Sequence, residues 1–470
     1  MANNCKIFTP EEYVEELLDA VEYSDNLYGK SVLENSCGDG NILMGVVRRY
    51  ILSARAAGKT DEEIRIGLEL DICGVELEKP HVDKCKENLQ TVAAQFGIAE
   101  VKWNIIEGDY LRYRFDRCFH YVLGNPPYIV YRDIEKAERV YLREHFSCCK
   151  EGKFDYYYAF IEKSVTELAP LGRMAYIIPY SIYKNVFARR LREQIKPYVE
   201  KICDYTIEHK FPGITTSSTI LVIQMQPRMS FLYTDEVTGA QFEIEKERLR
   251  DKWIFMDYLS ALNGKRFGDY FYVNNTIATL CNDAFLLKGY TLKGKYYEST
   301  SGDKVEASIV RPAVSKKKRK QNNLYIIFPY KWEEGMLTHY EDEEFREKFP
   351  CTVTHLLRYK NELKDRAADS TAKWFEYGRS QAITKITQKK LVMPSIISES
   401  INITLEDEKT IPCAGFFITE KKDRTLSEAK RLLESDRFYD YLKQIGIFTT
   451  GKSRRLTVKD IANYTFDNWE

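Results

Sequence analysis

The stretch "SVLENSCGDGNILMGVV" (residues 31–47) places a short β-type run, a glycine-containing turn and an amphipathic helix one after another. Strand, glycine turn and helix in this order are typical of the first unit of a doubly wound α/β sheet, where ligands bind beyond the carboxyl ends of the strands. Gly38 and Gly40 would let the backbone approach such a ligand. The alternative is a plain strand-to-helix turn with Asp39 and Asn41 as helix caps.

The same alternation of strands and helices continues to about residue 226 and predicts a mostly parallel sheet. A polar helix is expected from about residue 80 to 96, and the insert 56–71 is expected to loop out of the sheet. The predicted strands are "SVLE" (31–34), "ICGVELE" (72–78), "VKWNIIEGD" (101–109), "FHYVLGN" (119–125), "GRMAYIIPYSI" (172–182), "EKICDYTIE" (200–208) and "SSTILVIQMQ" (217–226).

The length of 470 residues predicts two or three domains. Because the rhythm changes after residue 226, we expect a catalytic domain over residues 1–235, a linker at "QPRMS" (226–230), and a separate C-terminal α+β domain over 236–470. The chain shows neither a signal peptide nor a membrane-length apolar run, which predicts a cytoplasmic protein. Its 11 cysteines and 6 histidines show no metal-binding spacing, so no metal is expected.

A second motif, "GNPPY" (124–128), follows the fourth predicted strand. Proline fixes φ and donates no N–H, so Asn125, Pro126 and Pro127 would hold a carboxamide oxygen and a backbone carbonyl rigidly side by side. The alternative is an ordinary strand-ending turn, since Asn and Pro are common there.

Acidic residues follow two other strands. Glu76 could accept both ribose hydroxyls of a nucleoside, and Asp109 could accept an adenine amino group. The glycines form neither the dinucleotide nor the triphosphate fingerprint. Acids at successive strand ends therefore favour an adenosine ligand without phosphates, a description that S-adenosylmethionine meets.

Taken in order, "FTPEEYVEELL", "VLENSCGDGN", "CGVELEKP", "EGDY", "GNPPY" and "KFPG" resemble the motifs of the gamma-class, TaqI-type DNA adenine-N6 methyltransferases. These motifs span about the first 226 residues. Later stretches, "LYIIFPY" and "WFEYGRSQAI", look like the target-recognition regions of such enzymes and of Eco57I-type proteins. The resemblance implies a Rossmann-like class I methyltransferase sheet of seven strands and a separate target-recognition domain.

The resemblance also implies roles for particular residues. The family's catalytic motif matches Asn125, Pro126, Pro127 and Tyr128 without change, and Tyr128 and Phe211 match aromatic residues that stack on the target base. Asn35 departs from the pattern, because proline is usual at its position. The residues that match cofactor contacts are Thr9, Glu34, Cys37, Gly38, Gly40, Glu76, Asp109, Tyr110, Phe160 and Asn125.

The implied activity is site-specific methylation of adenine N6 in double-stranded DNA, with the adenine flipped out of the duplex. Because the first motif begins near residue 8, we expect a methyltransferase without its own nuclease, either solitary or paired with a separately encoded restriction endonuclease. One chain holds every implied part, so a monomer is expected, associated with the prokaryotic nucleoid when on DNA. The rival interpretations are an RNA adenine or protein glutamine methyltransferase and a catalytically silent DNA-binding subunit.

Basic residues interleaved with aromatic ones in the second domain could contact phosphates or base edges. For any single lysine, a solvated surface position is the alternative interpretation. The residues assigned to DNA are Lys316, Lys317, Lys318, Arg319, Lys320, Arg379 and Lys385, with Lys389 and Lys390 nearby.

Overall fold

The computed structural model describes residues 9–205, 218–255, 264–315, 324–333, 336–379, 383–398, 400–422, 424–448 and 453–469. The chain divides into two compact units, Met1–Phe255 and Met256–Glu470. Among the described residues, no helix combines the length and the apolar character that crossing a bilayer requires.

The described part of the first unit contains a nine-stranded sheet with the strand order β3-β2-β1-β4-β5-β7-β6-β8-β9. The strands from β3 to β5 in this order pair in parallel, whereas β7 runs antiparallel to both of its neighbours. The bounds are β1 Val32–Glu34, β2 Ile72–Glu76, β3 Asn104–Glu107, β4 Phe119–Gly124, β5 Leu168–Pro179, β6 Val199–Asp204, β7 Ser218–Gln224, β8 Ser230–Asp235 and β9 Ala240–Glu245. All seven predicted strands are confirmed.

Several predicted strands have different ends in the structure. The fifth begins four residues earlier than predicted, at Leu168, and ends at Pro179, after which the chain forms a 3₁₀ turn. The sixth ends at Asp204.

Helices cover both faces of the sheet. Neighbouring residues of a strand point to opposite faces, and accordingly Val122 and Leu123 of β4 belong to two different buried clusters. The helices are α1 Glu11–Ala20, α2 Asn41–Ala56, α3 Asp61–Asp71, α4 Lys79–Gln95, α5 Lys136–His145, α6 Tyr157–Glu167 and α7 Arg189–Ile195. This arrangement is the predicted Rossmann-like class I methyltransferase fold.

The sequence predicted that the insert 56–71 loops out of the sheet. In the structure, residues Asp61–Asp71 of this insert form helix α3 instead. Thr60 and Glu63 make a reciprocal capping box at its start, which satisfies backbone N–H groups that would otherwise lack partners. Ile64 and Leu68 are fully buried. The helix is therefore stable because its first turn is capped and one face is packed.

The first unit extends beyond the predicted boundary at residue 235. Strands β8 and β9 form a hairpin at the edge of the sheet, and Trp253 and Phe255 pack into the same core as β4. The segment 226–230 is accordingly a turn between β7 and β8 rather than a linker between domains. The break lies after Phe255.

The second unit contains short helices and several small sheets, in agreement with the α+β prediction. Two of the sheets described have four strands each, ordered β11-β24-β20-β22 and β12-β17-β16-β23. Its strands are β10 Lys265–Arg266, β11 Phe271–Asn275, β12 Leu286–Lys288, β13 Thr291–Lys293, β14 Tyr296–Glu298, β15 Lys304–Glu306, β16 Val310–Ser315, β17 Leu324–Ile327, β18 Tyr330–Glu333, β19 Met336–His339, β20 Lys390–Met393, β21 Ile396–Ile397, β22 Thr404–Glu406, β23 Ile411–Ala414, β24 Phe416–Glu420, β25 Ile447–Phe448, β26 Arg454–Arg455 and β27 Thr465–Phe466. Its helices are α8 Phe267–Tyr270, α9 Asn282–Phe285, α10 Asp342–Lys348, α11 Pro350–Leu357, α12 Lys360–Asp365, α13 Ile383–Ile386, α14 Leu426–Leu433, α15 Asp436–Ile445 and α16 Val458–Ala462.

Helix α2 offers a test of the core with a control on the same helix. Leu43 is fully buried, whereas the side chain of Leu52 is 53% exposed. Leu43→Ala should lower the free energy of unfolding by about 2–5 kcal/mol because it leaves a cavity. Leu52→Ala should change it by less than about 0.5 kcal/mol. Denaturant titration of the two variants measures the difference, and equal losses would contradict the placement of this helix.

Candidate functional site

The loops that follow β1, β2 and β4 leave the sheet at the same edge. Glu34 at the end of β1 pairs with Gly74 of β2 on one side and with Leu123 of β4 on the other. Because these strands are parallel, their carboxyl ends lie together. The predicted glycine turn, the ribose-type acid Glu76 and the turn at Asn125 are thus brought to one edge.

The glycine loop between β1 and α2 is tied to the second strand. Gly38 N–H donates to Glu76 Oε2 at 3.0 Å, and Glu78 N–H donates to Glu76 Oε1 at 3.0 Å. Gly38 and Gly40 both have positive φ values, 52° and 87°. The loop therefore needs glycine at these two positions, and each oxygen of the Glu76 carboxylate keeps a lone pair for a further donor.

Glu34 is 3% exposed, and within the described residues its Oε2 has no hydrogen-bond partner. Burial raises the pKa of its carboxyl well above the usual value; nearby Cys85 and Glu76 add to the rise, and a backbone hydrogen bond from Leu43 opposes it. A buried carboxyl with an unpaired oxygen is costly unless a donor or a cation meets it. Glu34 thus has the properties expected for a group that meets a cationic ligand.

Asp109 follows the edge strand β3. Its Oδ1 accepts from Leu111 N–H at 2.9 Å, and its Oδ2 pairs with the Arg112 guanidinium. Tyr110 and Phe160 are 2% and 5% exposed, with ring centroids 5.2 Å apart. The two aromatic residues predicted to contact the cofactor adenine are therefore neighbours, but both rings belong to the buried core.

Thr9 and Cys37 complete the set of predicted cofactor contacts. Thr9 is 5% exposed; its Oγ1 accepts from Asn125 Nδ2 at 3.4 Å, and its carbonyl accepts from Asn41 Nδ2 at 3.0 Å. Thr9 thus links the glycine loop to the turn at Asn125. Cys37 is buried, and a hydrogen bond with Cys85, together with burial, raises the pKa of its thiol well above the usual value.

The turn after β4 presents one free and one occupied acceptor. Ile129 N–H donates to the Pro127 carbonyl at 3.1 Å, whereas in the part of the chain that the structure describes the Pro126 carbonyl accepts no hydrogen bond. The Asn125 carboxamide is held from two sides, because its Nδ2 donates to Thr9 and its Oδ1 accepts from the Tyr128 hydroxyl at 2.6 Å.

The Tyr128 hydroxyl has two acceptors within reach and one hydrogen. The Asn125 Oδ1 lies 2.6 Å away and the Ile177 carbonyl 2.7 Å away. Burial raises the pKa of this hydroxyl, so it stays protonated at neutral pH. Its ring is half-buried and meets the Tyr157 ring edge-on, with centroids 5.9 Å apart.

A buried set of hydrogen-bonded side chains behind this turn was not predicted from the sequence. Asn35 Nδ2 donates to Ser164 Oγ at 2.9 Å and also to the Tyr176 hydroxyl. Neither Ser164 nor Tyr176 was singled out in the sequence, although Tyr176 lies in the predicted strand 172–182. The one sequence signal was Asn35 itself, a polar residue where the related family usually has proline.

The second unit carries a separate cationic and aromatic surface. Tyr272 on β11 is 39% exposed, and the ammonium groups of Lys385 and Lys421 lie 3.9 Å and 5.4 Å from its ring centroid. Both distances are within cation–π range. Lys421 was missed by the sequence analysis, since it becomes a neighbour of Lys385 only through the fold.

Other residues assigned to DNA have different outcomes. Arg379 is exposed, and its backbone pairs with Ala278. Lys390 is fully buried and its ammonium donates to the Gln388 carbonyl, while burial lowers its pKa to about 8; it cannot reach a phosphate. The predicted residues Phe211, Lys316, Lys317, Lys318, Arg319 and Lys320 lie outside the described residues.

A metal centre finds no support in the described ranges, where no group of three or more His, Cys, Asp or Glu side chains could hold a metal ion.

Residues 60–211 match the family model of the Eco57I restriction-modification methylase. The chain is 22% identical over 353 residues to the Type II restriction enzyme and methyltransferase RM.Eco57I of Escherichia coli, covering 65% of this chain and 35% of the relative. It is 28% identical over 233 residues to the Type II methyltransferase M.PaeR7I of Pseudomonas aeruginosa, covering 45% and 40%. The chain thus spans less than half the length of these two relatives.

Two solved structures share the fold at low sequence identity. The Type IIL restriction-modification enzyme MmeI, solved in complex with DNA, has a TM-score of 0.58 at 14% identity over 96% of this chain and 64% of that chain. The DrdV–DNA complex has a TM-score of 0.53 at 10% identity over 93% of this chain and 53% of that chain. The first unit is therefore related to restriction-modification DNA methyltransferases in sequence and shares their fold.

The match of residues 60–211 to a restriction-modification methylase model implies S-adenosylmethionine as the cofactor, and the edge of the sheet fits it. The molecule carries a positive sulfonium, an ammonium group and ribose hydroxyls, all of which are matched by carboxylates. Glu34, Glu76 and Asp109 supply such acceptors at successive strand ends, and among the described residues no group donates a hydrogen bond to Glu34 Oε2.

The glycine loop can be tested by a pair of alanine substitutions. A Cβ at Gly40 would lie 2.6 Å from Cys85 Sγ, whereas a Cβ at Gly29, which also has a positive φ, meets nothing within 4 Å. Both variants should lose stability through backbone strain, but Gly40→Ala should lose about 1–3 kcal/mol more because of the clash. Thermal and denaturant unfolding measure both losses.

Cys85→Ala in the Gly40→Ala background removes the clashing sulfur and should restore part of the loss. Equal losses in the two glycine variants would contradict the close approach at Gly40.

Proposed function

We propose that this chain is a site-specific DNA adenine-N6 methyltransferase that flips its target adenine out of the duplex. The observation that carries the proposal is the turn after β4, where Thr9 and Tyr128 hold the Asn125 carboxamide and, among the described residues, the Pro126 carbonyl accepts no hydrogen bond. Ser36 Oγ, inside that loop, donates to the Asn125 carbonyl at 3.4 Å. The acceptors are therefore fixed relative to the part of the chain that would hold the methyl donor.

Two fixed acceptors suit an amino group that is a poor nucleophile. The lone pair of adenine N6 is delocalised into the ring, and acceptors on both amino hydrogens favour a tetrahedral nitrogen with a localised lone pair. Asn125 Oδ1 and the Pro126 carbonyl would accept these hydrogens. Positioned acceptors of this kind contribute mainly through orientation and electrostatic preorganisation.

When bound, S-adenosylmethionine supplies an electrophilic methyl group, so that a sulfur–carbon bond breaks as the nitrogen–carbon bond forms and an amino proton leaves to water. The chain's own acids would orient it. Glu76 would accept the ribose hydroxyls, Asp109 the adenine amino group, and Glu34 would face positive charge.

The Tyr128 hydroxyl would hold the Asn125 carboxamide in place before the substrate binds and release its oxygen afterwards. Without a base, it donates to Asn125 Oδ1 and so fixes the position of that oxygen. When the amino group arrives, the hydroxyl can donate to the Ile177 carbonyl instead, 2.7 Å away. Asn125 Oδ1 is then released without leaving the hydroxyl unpaired.

A base inside duplex DNA cannot reach this edge, so flipping is required at a cost of a few kcal/mol. Stacking on aromatic rings offsets part of the cost, about 1–3 kcal/mol per base. We assign this role to Tyr128 and Phe211. The half-buried Tyr128 ring is held by its hydroxyl and by Tyr157.

Phosphate contacts are assigned to the second unit. The surface formed by Tyr272, Lys385 and Lys421 combines two cations with a partly exposed ring, a combination that suits a nucleic-acid backbone. Exposed Arg379 is a further candidate.

Double-stranded DNA is the proposed partner, acted on by a monomer in a prokaryotic cytoplasm. Pairing with a separately encoded restriction endonuclease stays a prediction. The name of RM.Eco57I joins a restriction enzyme and a methyltransferase in one protein. Assays of DNA cleavage and DNA methylation with the same purified chain test for both activities.

The catalytic assignment is tested by Asn125→Ala. Loss of the carboxamide acceptor should lower methyl transfer by about 100-fold or more, by analogy with removal of one group that stabilises a transition state. Genomic DNA from a methylation-free host that expresses the wild-type chain should contain N6-methyladenine at one defined sequence. Single-molecule sequencing checks both proteins.

Asn104→Ala is the matched control, because this asparagine lies on the edge strand β3 and makes no side-chain hydrogen bond within the described residues. The control should methylate like the wild type. An unmodified genome in a host with soluble wild-type protein would overturn the assignment.

The DNA surface is tested by the double variant Lys385→Ala, Lys421→Ala. Each lost phosphate contact should reduce the slope of log affinity against log salt by about 0.9. The control is Lys293→Ala, Lys430→Ala, since both lysines are on the same unit and pair with glutamates. Fluorescence anisotropy with duplex DNA at several salt concentrations measures the slopes. Equal slopes in the two double variants would remove this surface from the DNA contact.

A further inference from the structure

The turn at residues 125–128 is called the catalytic turn. The buried hydrogen bonds behind it join four separate parts of the first unit. Asn35 follows β1, Tyr110 follows β3, Ser164 and Glu167 lie on α6, and Tyr176 lies on β5. The first three and Tyr176 are at most 2% exposed, and Glu167 is 8% exposed. Their links are Asn35 Nδ2 to Ser164 Oγ and to the Tyr176 hydroxyl, Ser164 Oγ to the Tyr176 hydroxyl (2.6 Å) and to the Tyr110 hydroxyl (2.8 Å), and the Tyr110 hydroxyl to Glu167 Oε2 (2.6 Å).

One assignment of hydrogens satisfies this whole chain. The Glu167 carboxylate, paired with the Lys163 ammonium, can only accept, so Tyr110 must donate to it. Ser164 then donates to Tyr110, and Tyr176 donates to Ser164. The Asn35 amide supplies both of its hydrogens, one to Ser164 and one to Tyr176.

This assignment fixes the direction of the Asn35 amide. Its nitrogen faces the hydroxyls, so Oδ1 faces away from them. Oδ1 is buried and has no partner within the described residues. A buried acceptor without a donor opposes stability, and such a violation of local rules is typical of a functional position.

The Asn35 amide and the Tyr176 ring pack against the backbone of Gly124, the residue that precedes the catalytic turn. A Cβ at Gly124 would lie 3.1 Å from Asn35 Oδ1 and 3.2 Å from Tyr176 Cε1, so these two side chains are in close contact with the backbone that precedes Asn125. The next residue of the glycine loop, Ser36, donates to the Asn125 carbonyl. The chain of hydrogen bonds therefore ends where the glycine loop meets the catalytic turn.

We propose that Asn35, Ser164 and Tyr176 are positioning residues that set the catalytic turn relative to the glycine loop. They touch neither the substrate nor the reacting atoms. That these residues affect catalysis rests on the proposed function. The coupling between the two loops is a property of the protein and can be measured without any activity. Breaking any one link should free both loops.

The test uses Tyr176→Phe, Ser164→Ala and their combination in the full-length chain. The control is Tyr23→Phe, which removes the hydroxyl of another fully buried tyrosine, one that has no hydrogen-bond partner within the described residues. Amide hydrogen exchange is followed in peptides covering residues 33–41 and 122–129. Both peptides should exchange faster in the two single variants than in the wild type. In the control, their exchange should be unchanged.

Methyl transfer in a single turnover should fall about tenfold in each single variant, because small displacements of reacting groups have large effects on rate. The double variant should fall no further than the singles, since one broken link already interrupts the chain. Affinity for S-adenosylmethionine, measured by calorimetry, should change less than twofold.

Exchange at both loops equal to that of the control would overturn the positioning role. So would a loss of transfer that merely follows the melting temperature across all four variants. A wild-type protein that does not methylate adenine would contradict the proposed function alone, because hydrogen exchange still decides whether these residues couple the two loops.

Discussion

The parallel pairing of one very short strand holds the site together. Strand β1 has three residues, all buried, and it is flanked in parallel by β2 and β4. Since the strands run in the same direction, the loops that follow them meet at one edge. A slip of one residue in β1 would exchange the faces of Leu33 and Glu34, removing an acid from the edge and an apolar side chain from the core. Everything at the site depends on this register.

Local sequence patterns predicted the strands and turns, because interactions between residues close in the chain determine them. Apolar runs marked the strands, and glycine and proline marked the two turns. The capping pair Thr60 and Glu63 was also visible in the sequence and would have identified α3 as a helix. In contrast, the partners of Asn35 lie 129 and 141 residues away along the chain, and no periodicity or spacing reveals such a contact.

The side-chain directions at the site were equally beyond local patterns. The sequence placed Tyr128 beside Asn125 but not its hydroxyl between Asn125 and Ile177. The hairpin β8–β9 was missed because β9 is largely exposed and so lacks the strong alternation of buried and exposed residues that marks a strand. Lys390, interpreted as a surface cation, is buried because its strand lies inside the second unit.

Charge is divided between the two units although the whole chain is neutral, with 70 basic and 70 acidic residues. The strand ends of the first unit carry the acids Glu34, Glu76 and Asp109, which suit a cationic cofactor. Cations able to meet a phosphate, such as Lys385 and Lys421, gather around Tyr272 on the second unit. At the acidic edge, the groups that would act on the substrate do not titrate near neutral pH: an amide, a backbone carbonyl, and a hydroxyl whose pKa burial raises. The turn can therefore keep the Asn125 carboxamide hydrogen-bonded before a base arrives. One rotation of the Tyr128 hydroxyl from Asn125 toward Ile177 would then release the carboxamide oxygen without rebuilding the backbone that holds it.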